Sequence, residues 1–359
     1  MNEKNKNIVV SILFFLFLGV FFLLNVFKPD TLISVSERRK LAQFPEISFK
    51  TIFDGTFFEK FESYTTDQFV RRDDFRSLKV QLELGIKHNY NDLYVYNDYI
   101  VKQLYPLNEN SIVNLSKKVN FIKENYLKNN KVYFSIVPDK NYFIDQGNLK
   151  LDYEKMVELM QTNLNFAQYL DIFPLLSLDN YYKTDTHWKQ ETLLNVGAYL
   201  AEEMDFLFAE GFSLEKITSF LGVYAGQLPG HATSEDINIL QNEVLSQAQV
   251  YNYETGKVTE VYDLTKKDDF DKYDIYLSGA VSLMTITNEA SLNDRELIVF
   301  RDSYGSSLVP LLVTGYKKIT LVDTRYISPK ILDQYIDFAD QDVLFLYSTL
   351  LINDSFSLK

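Results

Sequence analysis

Four short apolar runs, Val132 to Val137, Leu297 to Phe300, Ile319 to Val322 and Val343 to Tyr347, have strand length and hold almost no polar residues. A strand that is apolar at nearly every position must be covered on both faces, as inside a parallel sheet flanked by helices. Helical spacing separates these runs. Ile112, Leu115, Val119, Ile122 and Tyr126 form one stripe, a second helix is predicted from about Tyr153 to Tyr169, and Leu193, Val196, Leu200 and Met204 form a third. The expected fold is α/β, a mostly parallel sheet flanked by helices. Two pieces precede it: a helix over Phe53 to Leu84 and a short hairpin of Leu93–Tyr96 with Tyr99–Val101. From Phe212 to Leu292 the pattern breaks at Gly222, Gly226, Pro229 and Gly230, and short alternating pieces predict a β-rich insertion able to line a cleft.

The N-terminus carries an apolar run of a different kind. Ile8 to Phe27 is broken only by Ser11, Gly19 and Asn25, long enough for a helix to cross about 30 Å of hydrocarbon. Lys4 and Lys6 precede it, which keeps that end in the cytoplasm and places everything from Lys28 onward outside. The run exceeds the roughly 7–15 apolar residues of a secretory signal, and no small-x-small cleavage pattern follows, so residues 1–27 read as a single-pass anchor in the cell membrane. A cleaved signal peptide is the alternative. Residues 28–50, polar and holding Pro29 and Pro45, read as a stalk, and 51–359 as the extracellular domain.

Composition removes whole classes of function. A net charge of −13 is the wrong sign for a phosphate backbone, so no nucleic-acid partner is expected. No cysteine is present, which excludes disulfides, zinc–thiolate sites and a thiol nucleophile. The histidines, His88, His187 and His231, lack metal-ligand spacing, and neither metal nor cofactor is expected.

Chemistry concentrates in two stretches. Thr184-Asp185-Thr186-His187-Trp188 places an aspartate two residues before a histidine, where it can hold the imidazole in one tautomer and stabilise the imidazolium. The nucleophile candidate lies far downstream, where Leu297–Phe300 stops at Arg301-Asp302-Ser303-Tyr304-Gly305 ahead of a helical run. A serine on such a turn has its hydroxyl lifted off the sheet beside the first N–H groups of the helix. Taken alone, Ser303 reads first as a helix N-cap. Oxyanion donors are expected from the backbone at Ser303, Tyr304 and Gly305, with Gly279 as a second source or a plain turn. Asp185 and Asp302 also admit a reading as paired glycosidase carboxylates. Asp67-Gln68-Phe69-Val70-Arg71-Arg72 reads first as a solvated face or internal ion pair.

Together these stretches resemble the DHHW family, which is similar to the alginate O-acetyltransferases AlgJ and AlgX with SGNH-hydrolase-like domains. The resemblance rests on Asp185-Thr186-His187-Trp188 and Arg301-Asp302-Ser303, with Asp67-Gln68-Phe69, Val137-Pro138-Asp139-Lys140 and Asp323-Thr324-Arg325-Tyr326 in support. It implies Ser303 as nucleophile, His187 as base and Asp185 as orienting acid, with Arg325 and Tyr326 near the site. It implies an O-acetyltransferase or acetylesterase acting on a polysaccharide, with a multi-pass membrane O-acyltransferase as acetyl donor. The alternative is a non-catalytic glycan-binding scaffold for export or cell-wall assembly. The chain departs from the family at Ser278-Gly279-Ala280, where Gly-Gly followed by Asn or Asp is usual.

Overall fold

The computed structural model describes residues 2–34, 36–145, 147–231, 233–291 and 293–359. The chain divides into two compact units, residues 1–90 with 225–230, and residues 91–224 with 231–359.

In the first unit, α1 (Glu3–Phe27) is the long apolar helix, and no part of its apolar window is buried. A two-residue ladder of β1 (Ile33–Ser34) and β2 (Arg39–Lys40) follows, then α2 (Phe49–Phe53), α3 (Thr56–Asp67) and α4 (Arg72–Lys87). The single helix predicted over Phe53 to Leu84 is thus broken at residues 68–71. The break has a cause. Buried Gln68 accepts from Thr31 N (2.9 Å) and donates to Thr31 O (2.8 Å) and Ala42 O (3.0 Å), while Arg71 takes a left-handed φ of 56°. Asp67 accepts a two-pronged contact from Arg39 (2.7 and 2.5 Å), and Glu37 pairs with Arg72 and Arg76. The charged run is therefore an internal ion-pair corner, and it ties down residues from the segment read as a stalk.

The second unit opens with the hairpin β3 (Leu93–Tyr96) and β4 (Tyr99–Lys102). Next come α5 (Glu109–Tyr126), β5 (Val132–Val137), α6 (Tyr153–Asn163), β6 (Gln168–Tyr169) and α7 (Leu194–Glu203). The helix predicted to Tyr169 ends at Asn163, because Gln168 and Tyr169 pair with β5 instead. A second hairpin joins β7 (Ser213–Phe220) to β8 (Glu235–Gln241), followed by β9 (Gln249–Asn252), β10 (Lys257–Glu260) and β11 (Leu283–Thr287). The chain continues through β12 (Glu296–Arg301), α8 (Gly305–Leu312), β13 (Lys318–Val322), β14 (Asp342–Ser348) and α9 (Thr349–Asn353).

The fold is mixed α/β, with one large sheet in the order β10-β9-β11-β13-β12-β14-β5-β6. The β13-β12-β14-β5-β6 portion is parallel, and the three remaining strands extend it antiparallel. Strands from residues 212–292 thus widen the main sheet, while β7 and β8 stand as a separate pair; Leu292 lies outside the described residues. Both faces are covered, as the unbroken apolar runs require. Leu297 and Val299 of β12 join Leu308 and Leu311 on one face, whereas Ile298 and Phe300 join Phe345 and Ile112 on the other. From β5 the chain moves outward to β6, and from β12 the opposite way to β13, with β14 inserted between. The carboxyl ends of β5, β14 and β12 therefore border the crevice where open α/β sheets hold ligands.

Candidate active site

Ser303 follows the carboxyl end of β12, two residues before α8. Asp302 sets this turn. Its Oδ1 accepts from Tyr304 N (3.0 Å) and its Oδ2 from Ser348 N (2.8 Å), so one buried carboxylate fastens the turn to the end of β14. Both Asp302 oxygens thus bind backbone, unlike a glycosidase acid facing substrate. Gly305 lets α8 start close to the strand, since a Cβ there would lie 2.8 Å from Arg301 Cβ.

Tyr181 to Trp188 forms a tight loop closed by an antiparallel bridge between its ends and by Tyr182 N donating to His187 O (3.1 Å). Two contacts fasten it to the serine turn. The Trp188 indole N–H donates to Tyr304 O (3.0 Å), and the Tyr304 hydroxyl donates to Thr186 O (2.7 Å). Tyr304 and Trp188 are buried, so both act as clamps.

These attachments bring together three side chains far apart in sequence. Ser303 Oγ lies 2.8 Å from His187 Nε2, and Asp185 Oδ1 lies 2.6 Å from His187 Nδ1. An ionised carboxylate can only accept, so Nδ1 carries a proton and, in the neutral ring, Nε2 accepts from the serine hydroxyl. Burial alone would raise the Asp185 pKa, but the imidazole and the N–H groups of His187 and Val223 outweigh it and hold the carboxyl well below the usual range. The ring of Tyr273 stacks on the imidazole with centroids 3.9 Å apart and planes within 7°.

Several supporting groups carry no local sequence signal. The arm after β7 reaches Asp185, with Val223 N donating to Oδ2 (2.8 Å) and Gly222 N to Thr184 Oγ1 (2.9 Å). Only glycine permits that approach, since a Cβ on Gly222 would sit 2.3 Å from Thr184 O and 2.4 Å from Asp185 Cβ. From β8, the Glu235 carboxylate accepts from Lys183 N and Thr184 N, both at 2.9 Å. Buried Lys140, beyond β5, donates to Tyr182 O (3.0 Å), Lys183 O (3.3 Å) and Ile100 O. Burial pushes its ammonium down to about 7, against the pull of Asp185, Glu235 and Asp139. Val137-Pro138-Asp139-Lys140 stood out in the sequence, but the role of its lysine did not.

The oxyanion candidates separate. Gly279 N donates to Tyr276 O (3.2 Å) and Gly279 O accepts from buried Arg301 (3.3 Å), so this glycine is the turn alternative. Tyr304 N and Gly305 N are both taken by Asp302, as described for the first and by its carbonyl (3.1 Å) for the second. Among the described residues, the Ser303 N–H alone of these four has no acceptor. Arg325 and Tyr326 follow the carboxyl end of β13. Arg325 grips Asp323 through Nε (2.9 Å) and a terminal nitrogen (2.6 Å), and Asp323 also pairs with Arg301 at 3.7 Å. The half-exposed Tyr326 ring lies 5.3 Å from the Arg325 guanidinium. His88 caps the end of α4, and His231 lies outside every named element.

No protein-family model matches the chain, and no curated protein matches it in sequence. Among solved structures, a DHHW family protein from Eubacterium siraeum aligns with a TM-score of 0.60 at 19% identity, covering 74% of this chain and 92% of that one. Bacillus cereus PatB1, also solved with a sulfonyl adduct, aligns with a TM-score of 0.57 at 16% identity, covering 72% of this chain and 96% of its own. The O-acetyltransferase domain of Pseudomonas putida AlgJ lies farther off, with a TM-score of 0.40 at 12% identity over 68% of this chain and 83% of its own. At these identities the likeness is one of fold: the chain has the fold of the DHHW family protein and of PatB1.

Proposed function

We propose that this chain is a membrane-anchored, extracellular serine-dependent O-acetyltransferase or acetylesterase acting on a cell-surface polysaccharide. One observation carries the reading: a serine hydroxyl within 2.8 Å of an imidazole whose other nitrogen is held at 2.6 Å by a buried carboxylate. In the first step His187 Nε2 takes the Ser303 proton as Oγ attacks the acetyl carbonyl, and Asp185 stabilises the imidazolium. The oxyanion develops beside the Ser303 N–H. His187 then protonates the leaving alcohol, and the acetyl-serine passes its acyl group to a sugar hydroxyl or to water. Tyr273, stacked on the ring, restrains its rotation between the two half-reactions.

The polysaccharide acceptor and the donor partner rest on resemblance. An extracellular enzyme has no soluble acetyl donor at hand, so a multi-pass membrane O-acyltransferase would deliver the group. The scaffold alternative requires no reach between Ser303 and His187, and the close contact favours the enzyme. The tyrosines of the insertion, whose rings would suit sugar faces, supply less support: Tyr262, Tyr273 and Tyr276 are core residues, while Tyr251 and Tyr253 are exposed.

The test is reaction of the full-length protein in detergent with a sulfonyl fluoride and with p-nitrophenyl acetate. We expect mass spectrometry to find the sulfonyl group on Ser303, and Ser303→Ala to lose acetate-ester turnover by roughly 10⁴-fold or more. Turnover unchanged in that variant would end the proposal.

A further inference from the structure

We infer that α4 is an interfacial helix, its apolar stripe seated in the outer leaflet beside the point where α1 leaves the bilayer. The inference rests on the reading of α1 as a membrane span and concerns a surface that the acyl-transfer chemistry does not use.

The first observation is a stripe without a partner. Phe75, Leu78, Leu82 and Ile86 of α4 are 48%, 52%, 56% and 78% exposed. Spaced i, i+3, i+7 and i+11, they fall on an arc of less than about 90°. The stripe runs from residue 75 to residue 86, roughly 17 Å at 1.5 Å per residue. Along its flank, Glu83 pairs with Lys79 (3.8 Å) and Lys87 (3.1 Å), and such long side chains can keep their charges in the headgroup layer while their stems lie on hydrocarbon.

The second observation fixes the depth of one end. Phe21 of α1 stacks on Phe69, with centroids 6.0 Å apart and planes within 12°, and meets Phe75 edge-on at 6.3 Å. Asn25, the late polar interruption of the apolar run, accepts from Val70 N (2.8 Å) and donates to Phe21 O (2.8 Å). Lys28 Nζ reaches Gln68 O (3.3 Å). Residues 68–75 are therefore fastened to residues 21–28, the last turns of α1 and the residue after it. Phe21 lies six residues inside Phe27, where the apolar run ends, a depth of about 9 Å. An interfacial helix buries its apolar face by about 5–10 Å. If α1 spans, the Phe75 ring must enter the acyl region, and the stripe that starts there continues along the membrane surface. A second copy on this stripe would have to meet Phe75 at a depth where acyl chains already surround it.

The cysteine-free chain allows single labels. The full-length protein, reconstituted in phosphatidylcholine–phosphatidylglycerol vesicles, would carry an environment-sensitive fluorophore at Leu16→Cys, Leu82→Cys, Ile86→Cys or Gln81→Cys, with Gln81 on the polar side of α4. We expect nitroxide deep in the acyl chains to quench the Leu16 label. Nitroxide near the headgroups should remove most of the fluorescence at positions 82 and 86, and none at 81. If 82 and 86 behave like 81 while 16 is quenched, the inference falls and the anchor stands. If 16 also escapes quenching, the anchor reading itself has failed, and the inference with it. Labels at 82 and 86 shielded from both lipid nitroxide and aqueous iodide would mean that protein covers the stripe, which overturns the lipid assignment.

Discussion

At the amino end of the central sheet, Arg295, Tyr316 and Asp342 meet one another. Arg295 pairs with Asp342 and donates to Met204 O (3.0 Å), while Tyr316 donates to Asp342 Oδ2 (3.0 Å). Asp205, Asn293 and Lys131 line the same open cleft. At the carboxyl end, Asp185, His187 and Ser303 are also buried or half-buried and also hydrogen-bonded, but their contacts run in one direction and stop at a hydroxyl. The difference is one of closure. In the first group charge is neutralised among its members, whereas the second ends at the hydroxyl of half-buried Ser303, the arrangement on which the proposed acyl chemistry rests. Buried charge on its own therefore does not mark a site of chemistry.

Substitutions at the two ends should separate these roles. The largest effect after loss of the serine is expected from Asp185→Asn, which frees the imidazole to adopt the wrong tautomer. The kcat for acetate-ester hydrolysis should fall by roughly 10³–10⁴-fold with KM little changed. A near-normal kcat would mean that the line of contacts is not a relay. Gly222→Ala pushes a methyl into Thr184 O and Asp185 Cβ, and the displaced carboxylate should lower kcat by about 10–100-fold. Gly222→Ser should do the same, and activity retained in both would show that the loop tolerates movement.

At the amino end the readout should reverse. Asp342→Asn should lower unfolding stability by about 1–3 kcal/mol in urea titration, because Arg295 loses its counter-charge, yet leave kcat per folded molecule unchanged. A loss of kcat there would break the contrast. The smallest effect concerns Asp274, which sits against Gly279 within the electrostatic reach of His187. Burial, and then the neighbouring Asp271, raise its carboxyl pKa from 3.8 to about 6. Between those values the unfolded chain has already lost the proton that the folded chain retains, so stability falls as pH rises from about 4 to about 6. Asp274→Asn should flatten that slope by about 1 kcal/mol, the partial exposure of the carboxyl limiting the gain. Parallel stability–pH curves for the two proteins would dispose of this account.

The parts of the molecule that were readable in sequence are those with a local rule. Residues 132–137 and 297–300 announced buried parallel strands because burial on both faces removes alternation. Ser303 and His187 stood out because a strand stopping at a serine, and an aspartate two residues before a histidine, are rare enough to notice. What stayed hidden depends on contacts across the fold. Gly222 read as a chain breaker, and nothing near it in sequence points to Thr184, thirty-eight residues earlier, to which its N–H donates. The same is true of Tyr273 over His187 and of Glu235 beneath Thr184. The corner at residues 68–71 was missed because Gln68 satisfies three distant backbone groups, which overrides the helical spacing around it.

The carboxylate that binds both Tyr304 N and Ser348 N has a consequence for assembly. The aim of the proposed nucleophile depends on β14, a strand that follows every member of the relay in the chain. A chain halted before residue 342 holds every member of the relay without the tether that points its hydroxyl. Such a truncated product, challenged with a sulfonyl fluoride, is expected to stay unmodified at Ser303, so that the proposed acyl chemistry waits for β14 to take its place.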